Sequence, residues 1–393
     1  MNSLPNQFIV NAFKNGCQIS SIYIDLDNVP FTGNGIPFDN MCDHTTTNLR
    51  KFTIKNIRRA GDLAFRWAAY RTTGLQELEV TFSEKNKDST ATSYNTAFNG
   101  FVGNDRTPRN MTRILLDYRY SNFAYSSTIN TNGCGSPLIG MNTTNIIPEI
   151  YFPDEWYCHG SETSAYNGLI YPAYFASDYY PRQTPNIVIQ GIKKIDHQWQ
   201  TVLSPFAYMF AAANTQGSII NFTVQDLEEV TMNNGLTGAE KQYFGIINHT
   251  FDNRTTIKNI SFPNLRTLEG RIFHRANEFH ANVRNLVVDL PKLETYIGDD
   301  YCIYSGSGYV DRINLHSLQL INNPIINITS NVGNNTQIYL NSDFLTINSN
   351  IISNTTNKPI TFYFSENNRA YIESHALYPT KFGGGTNCTI EFI

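Results

Sequence analysis

The chain has 393 residues, of which 41% are hydrophobic and only 16% charged, and its formal net charge is −4. The apolar fraction is enough for a sizeable core, while the charged fraction falls well below the usual quarter. Asparagine makes up much of the difference, with 47 copies, so a surface solvated by neutral amides and hydroxyls is expected. With a pI near 6.1, the balance lacks the basic footprint of a nucleic-acid binder, and no apolar stretch approaches the roughly 20 residues of a membrane span.

Residues 1–20 carry no basic region followed by an apolar one, so they do not read as a secretory signal and are taken as an N-terminal cap or docking tail. From residue 21 to 393 one pattern organises the chain: apolar residues at offsets 0, 2, 5 and 8. Full copies are Phe52/Ile54/Ile57/Ala60, Ile187/Ile189/Ile192/Ile195, Phe222/Val224/Leu227/Val230, Ile260/Phe262/Leu265/Leu268, Val288/Leu290/Leu293/Tyr296 and Ile313/Leu315/Leu318/Ile321. The leading pair alone recurs at Ile24/Leu26, Leu78/Val80, Ile114/Leu116, Ile150/Phe152, Ile338/Leu340, Phe362/Phe364 and Ile390/Phe392. A period-2 pair marks a short strand with one buried face, and the next two positions suit a turn and an inward bend.

A strand of about five residues cannot bury its apolar face alone, whereas coils stacked at about 4.8 Å bury it and pair every strand with its neighbours. Leading residues stand from 24 (Ile338 to Phe362) to 38 (Phe222 to Ile260) apart, wider than the 8–12 residues of a sandwich. The expected fold is therefore mainly β: a single repeat solenoid with one parallel sheet and short helical or irregular return legs. Coils over about 78–259 carry long insertions, and those over about 260–393 are short and regular. Residues 61–70 read as a helical segment with Leu63, Phe65 and Trp67 inward, and 267–280 as a segment able to form a helical turn.

Three segments carry a family resemblance: Phe262-Pro-Asn-Leu-Arg-Thr-Leu-Glu-Gly-Arg-Ile-Phe273, Leu290-Pro-Lys-Leu-Glu-Thr-Tyr-Ile-Gly298 and Ile57-Arg-Arg-Ala-Gly-Asp-Leu-Ala-Phe65. They resemble the BspA-like leucine-rich repeats, in which Leu-Pro-x-Leu-x-x-Ile-Gly leads into a leg containing Ala-Phe. The resemblance implies a leucine-rich-type solenoid that binds proteins or glycans at a surface, and it brings no catalytic residue. The longer coils, and the lack of the cysteine that commonly follows Ala-Phe, are departures from that pattern.

The chemistry-bearing candidates are sparse. Arg50, Lys51, Lys55, Arg58 and Arg59 form a basic cluster, read as a solvated face. Cys42-Asp43-His44 and Cys158-His159 lack the spacing that aims two ligands at one ion, so no metal or other cofactor is expected. Gly133-Cys-Gly-Ser136 is not set in a nucleophile elbow, and Gly100-Phe-Val-Gly lacks the lysine of a phosphate loop. The six cysteines are read as free thiols. Outward strand positions (Thr53, Val188, Thr223, Ser261, Asp289, Asn314, Tyr339, Tyr363 and Glu391) offer carboxylates only singly, against the paired carboxylates of a glycosidase.

The remaining signal is aromatic. Trp156 and Tyr157 are followed by Tyr166, Tyr171, Tyr174, Phe175, Tyr179 and Tyr180 in the insertion between Ile150 and Ile187, and one coil earlier Tyr118 and Tyr120 stand beside Phe123 and Tyr125. Two readings stand: a contact flank for protein or glycan, since rigid aromatic loops make large contact area at low entropic cost, or side chains that pack the insertion against the solenoid. The sequence is thus read as a non-enzymatic binding or structural protein in a larger assembly. A bacteriophage virion component comes first, a cell-surface BspA-like adhesin second and a polysaccharide-active solenoid enzyme third, located in a virion or at an extracellular surface.

Overall fold

The computed structural model describes residues 18–27, 48–57, 72–84, 111–120, 149–152, 154–158, 184–197, 218–232, 256–272, 286–298, 303–306, 310–328, 335–352, 359–378 and 388–393, with scattered positions between them. Its main feature is a thirteen-stranded sheet whose strands follow one another in strict chain order. The strands are Ser21–Asp25, Lys51–Ile57, Glu77–Phe82, Arg113–Asp117, Glu149–Tyr151, Thr184–Gln190 and Ser218–Val224. They continue as Thr256–Ser261, Leu286–Asp289, Val310–Asn314, Thr336–Leu340, Ile360–Phe364 and Cys388–Phe392. Every pairing in it is parallel. This is the stacked arrangement expected of a solenoid-like chain.

Alternation explains the strands. Glu77–Phe82 exposes and buries residues in turn, with Leu78, Val80 and Phe82 inward, and Thr336–Leu340 repeats the alternation with Ile338 and Leu340 inward. Neighbouring coils then bring like residues into columns: Phe52 beside Leu78 and Leu78 beside Ile114, and later Ile187, Phe222, Ile260, Val288, Ile313, Ile338 and Phe362 in succession. All but Leu78, at 1%, are fully buried, each such burial stabilising the stack by about 1.5–3 kcal/mol.

The register corrects two of the expected pairs. Ile22 and Ile24 align with Phe52 and Ile54, so the first leading pair is Ile22/Ile24 and not Ile24/Leu26. Ile150 aligns with Leu116 and with Ile189, so Ile150 is the second inward position of its coil. Both errors are shifts of two residues. Because side chains alternate with period 2, such a shift preserves the face and is invisible to the apolar pattern.

A larger correction concerns the number of sheets. At Ile195, Val230, Leu268 and Tyr296 the residue at offset 8 is not in an irregular return leg but in a second parallel sheet of five strands. Ile321 lies in a two-stranded parallel sheet with Ile347, and Ala60 lies outside the described residues. The five strands are Glu155–Cys158, Lys194–His197, Glu229–Met232, Thr267–Glu269 and Thr295–Ile297. Ile195 pairs with Val230, Val230 with Leu268, and Leu268 with Tyr296. Of the segment 267–280, able from sequence to form a helical turn, Thr267–Glu269 is a strand and 273–280 lie outside the described residues. Leu268 and Ile272 do point inward, as both are fully buried. The offset-5 residues Ile192, Leu227, Leu265, Leu293 and Leu318 fill the corner between the sheets and are fully buried. Over 61–70, the described positions Phe65, Ala68 and Ala69 are buried and in turns, the Ala68 N–H donating to the Phe65 carbonyl at 3.2 Å. Among the described residues the one α-helix is the short Arg369–Ser374.

Two backbone positions hold the coils at close quarters. Gly191 has φ +89°, and a Cβ there would lie 2.3 Å from the Phe152 carbonyl oxygen of the preceding coil. Its N–H donates to Asp226 Oδ2 at 2.7 Å. Asn56 has φ 58°, at an irregularity in the pairing between Ile54 and Ile57. Asparagine tolerates that left-handed region better than most residues.

Candidate functional site

The outer face of the long sheet carries polar side chains on most of its strands. One column runs through all thirteen strands: Tyr23, Thr53, Glu79, Leu115, Glu149, Val188, Thr223, Ser261, Asp289, Asn314, Tyr339, Tyr363 and Glu391. The nine outward positions expected from sequence fall in it. Two of them are buried all the same, Thr53 at 1% and Ser261 at 8%. The Thr53 hydroxyl has no hydrogen-bond partner.

The column has three chemistries along its length. At the N-terminal coils it is ionic: Lys55 lies 3.0 Å from Glu79, and Arg113 lies 3.0 Å from Glu149 and 3.9 Å from Glu79. The hydrogen bond to Glu79 raises the Lys55 ammonium above its ordinary value. The Asn56 amide donates to Asp25 Oδ1 at 2.9 Å, and this bond, foremost among several, holds the Asp25 carboxyl below the usual carboxylate value. Lys51 of the basic cluster pairs with Glu77 at 2.8 Å, and Arg50 donates to the Gly74 carbonyl at 2.9 Å. Such exposed pairs are worth at most about 1 kcal/mol each.

In the central coils the outer face carries amides at Asn221 and Asn259 beside Thr223, and the backbone of Asn186 continues their row on the preceding strand. The Asn-x-Ser/Thr sequences Asn221–Thr223 and Asn259–Ser261 lie within strands of the sheet.

At the C-terminal coils the face becomes aromatic. Tyr339 and Tyr363 stack with centroids 4.4 Å apart and planes 9° apart. The Arg312 guanidinium sits 5.4 Å from the Tyr339 centroid, and the His316 ring is 5.7 Å from the same ring. Asp289 is fixed by two donors, Asn314 Nδ2 at 2.9 Å and Ser261 Oγ at 3.2 Å. The Tyr339 hydroxyl donates to Gln337 Oε1 at 3.3 Å, and His316 Nδ1 lies 2.5 Å from Asn341 Oδ1. Partial desolvation, then the adjacent Glu391 carboxylate, raises the Tyr363 hydroxyl above its ordinary value.

The aromatic flank expected from sequence meets a different fate. Tyr118 is not a surface residue: it is fully buried, its ring 5.5 Å from that of Phe82 and 6.3 Å from that of Phe152. Phe206 continues this interior column, 5.6 Å from Phe152 and 6.0 Å from Phe222. Burial raises the Tyr118 hydroxyl well above its ordinary value, so it serves as core and presents nothing to a ligand. Tyr120 is partly buried against the core. Trp156 and Tyr157 have their backbone in the second sheet, pairing with Ile195 and Asp196. Tyr171, Tyr174, Tyr179 and Tyr180 lie outside the described residues.

Sequence reasoning named Tyr339 and Tyr363 only as outward positions. The available signal was their identical place in consecutive coils, one residue after Ile338 and Phe362. Among the described residues, no three His, Cys, Asp or Glu side chains come together as a metal site, and no helix is long and apolar enough to cross a membrane. Cys42 is buried and Cys388 half-buried. Comparisons with protein-family models, curated proteins and solved structures find no match to this chain.

Proposed function

We propose that the chain is a non-enzymatic binding and structural protein, a leucine-rich-type solenoid that serves as a component of a bacteriophage virion through protein or glycan contacts. The observation that carries the binding reading is the outer column of the long sheet, where Asn314, Tyr339 and Tyr363 follow one another on successive coils, with the Arg312 guanidinium against Tyr339. Its carboxylates are held singly by hydrogen bonds or ion pairs, as at Asp289 and Glu149. That arrangement suits recognition better than acid–base chemistry, which needs paired groups with separated proton affinities.

A second reading, a cell-surface adhesin of the BspA-like kind, draws on the Pro-x-Leu corners. Pro263 and Pro291 each precede a buried leucine, Leu265 and Leu293, and Leu265 and Leu293 donate back to Phe262 and Leu290 at 3.3 and 3.2 Å. The two readings part on location. Density fractionation of the native source, followed by quantitative peptide mass spectrometry, decides between them. Co-banding with capsid proteins at fixed stoichiometry is the expected result. Enrichment in the cell envelope, with none on particles, overturns the virion reading and leaves the adhesin.

A further inference from the structure

The aromatic end of the outer column has a chemistry that points to one ligand class. Tyr339 and Tyr363 are half-buried, stacked on each other and backed by Arg312. The facing sides of the two rings are taken up by this stacking and Arg312 lies over Tyr339, so the pair presents a ledge of aromatic carbon rimmed by hydroxyls. Beside the ledge, Asp289 and Asn314 are half-exposed, locked together at 2.9 Å, and Glu391 is exposed. The side chains are ordered before any ligand arrives, which lowers the entropic cost of binding.

Three ligand classes can be compared on this strip. A peptide that pairs through its main chain needs a sheet edge. The strands Leu286–Asp289 to Ile360–Phe364 are interior, each hydrogen-bonded to a neighbour on both sides. A polyanion needs a field of one sign, whereas the strip mixes Asp289 and Glu391 with Arg312. A neutral glycan needs neither. It is recognised by hydrogen bonds from amides, carboxylates and hydroxyls, with its C–H edges resting on aromatic carbon. The recurrence of these groups at about 4.8 Å along the stack is close to the length of one pyranose unit.

We infer that the strip formed by Asp289, Arg312, Asn314, Tyr339, Tyr363 and Glu391 binds an extended, uncharged glycan with its sugar units running along the solenoid axis. This assignment rests on the binding reading proposed above and gives that reading a ligand class. It does not depend on whether the protein resides in a virion or at a cell surface.

The test is a printed array of neutral α- and β-linked oligosaccharides, with a heparin fragment as the polyanionic control. It is run with the full chain and with the Tyr339→Ala/Tyr363→Ala variant, whose fold is checked by circular dichroism and melting. The expected result is retention on at least one neutral glycan, weakened about tenfold or more in the variant, as for loss of an aromatic anchor. Hydroxyl-radical footprinting of the unmodified chain with the retained glycan is independent of how the variant folds. Protection at residues 312–314, 337–341 and 361–363 is expected there. Retention on heparin alone, on no neutral glycan, or on neutral glycan without protection of these segments overturns the assignment. Co-banding with particles but no glycan retention would leave the virion reading standing and this one refuted.

Discussion

Replacing Gly191 by alanine tests the close stacking of coils directly. The backbone there has φ +89°, and the added Cβ would lie 2.3 Å from Phe152 O and 3.2 Å from Phe152 N. Left-handed backbone costs an alanine roughly 1–2 kcal/mol. The contact is with main chain, so relief requires the two coils to move apart, a forced repacking of about 1–3 kcal/mol. The sum is about 2–5 kcal/mol, drawn from the interface between the strands Glu149–Tyr151 and Thr184–Gln190. A stacked chain need not melt in one step, so the assay is native-state hydrogen exchange read by peptide. Amides at 149–152 and 187–192 should exchange about 30-fold faster or more, by the conversion of 1.4 kcal/mol per tenfold. The amide whose bond is most at risk is Phe152 N–H, which donates to the Gln190 carbonyl at 2.8 Å. Peptides at 336–347 should be unchanged. Protection at 149–192 equal to that of the unmodified chain would refute the reasoning.

Other perturbations follow from the same geometry. Asn56→Gly should leave the φ 58° backbone unstrained, while Asn56→Val should destabilise the first coils by about 1–3 kcal/mol, as read by urea titration. The Asp25 carboxyl is held low, first by Asn56, so its contribution is complete above about pH 4 and fades as pH falls through the lower folded value. Asn56→Ala should therefore flatten the acid limb of a stability–pH curve below about pH 4; an unchanged limb counts against that origin. Leu265→Ala, at a fully buried corner, should cost about 2–5 kcal/mol by the same titration. Burial pushes the Cys388 thiol up to about 11, so iodoacetamide should label it at pH 8 far more slowly than free cysteine. Labelling at the free rate would contradict the burial.

The coils were legible in the sequence because each inward residue is repeated in register by its neighbours, which lets weak pairs such as Ile338/Leu340 be read from strong ones. Register to within two residues was not legible, as at Ile22 and Ile150, since a period-2 pattern is unchanged by an even slip. The second sheet was hidden for a related reason. Strands of three or four residues contribute one inward side chain, as at Thr267–Glu269, or two, as at Glu229–Met232, too few to show any period. Tyr118 was misplaced because an aromatic residue just past a strand reads equally as surface or core. Its burial follows from Phe82, Phe152 and Phe206 lining up in space, and a spacing of 34 to 54 residues between consecutive members carries no local signal. The tyrosine ledge was visible only as two single outward positions until the register joined them.

Strict chain order in the long sheet makes distance along the molecule a count of coils. Between Asp289 and Glu391 the column takes four steps, about 19 Å at 4.8 Å each. Duplication of one whole coil would lengthen that span by one step and leave every other pairing intact, whereas an odd insertion within a strand would turn its side chains inside out. Such a chain can change its reach by gene duplication without redesigning its interior, and it can be used as a ruler.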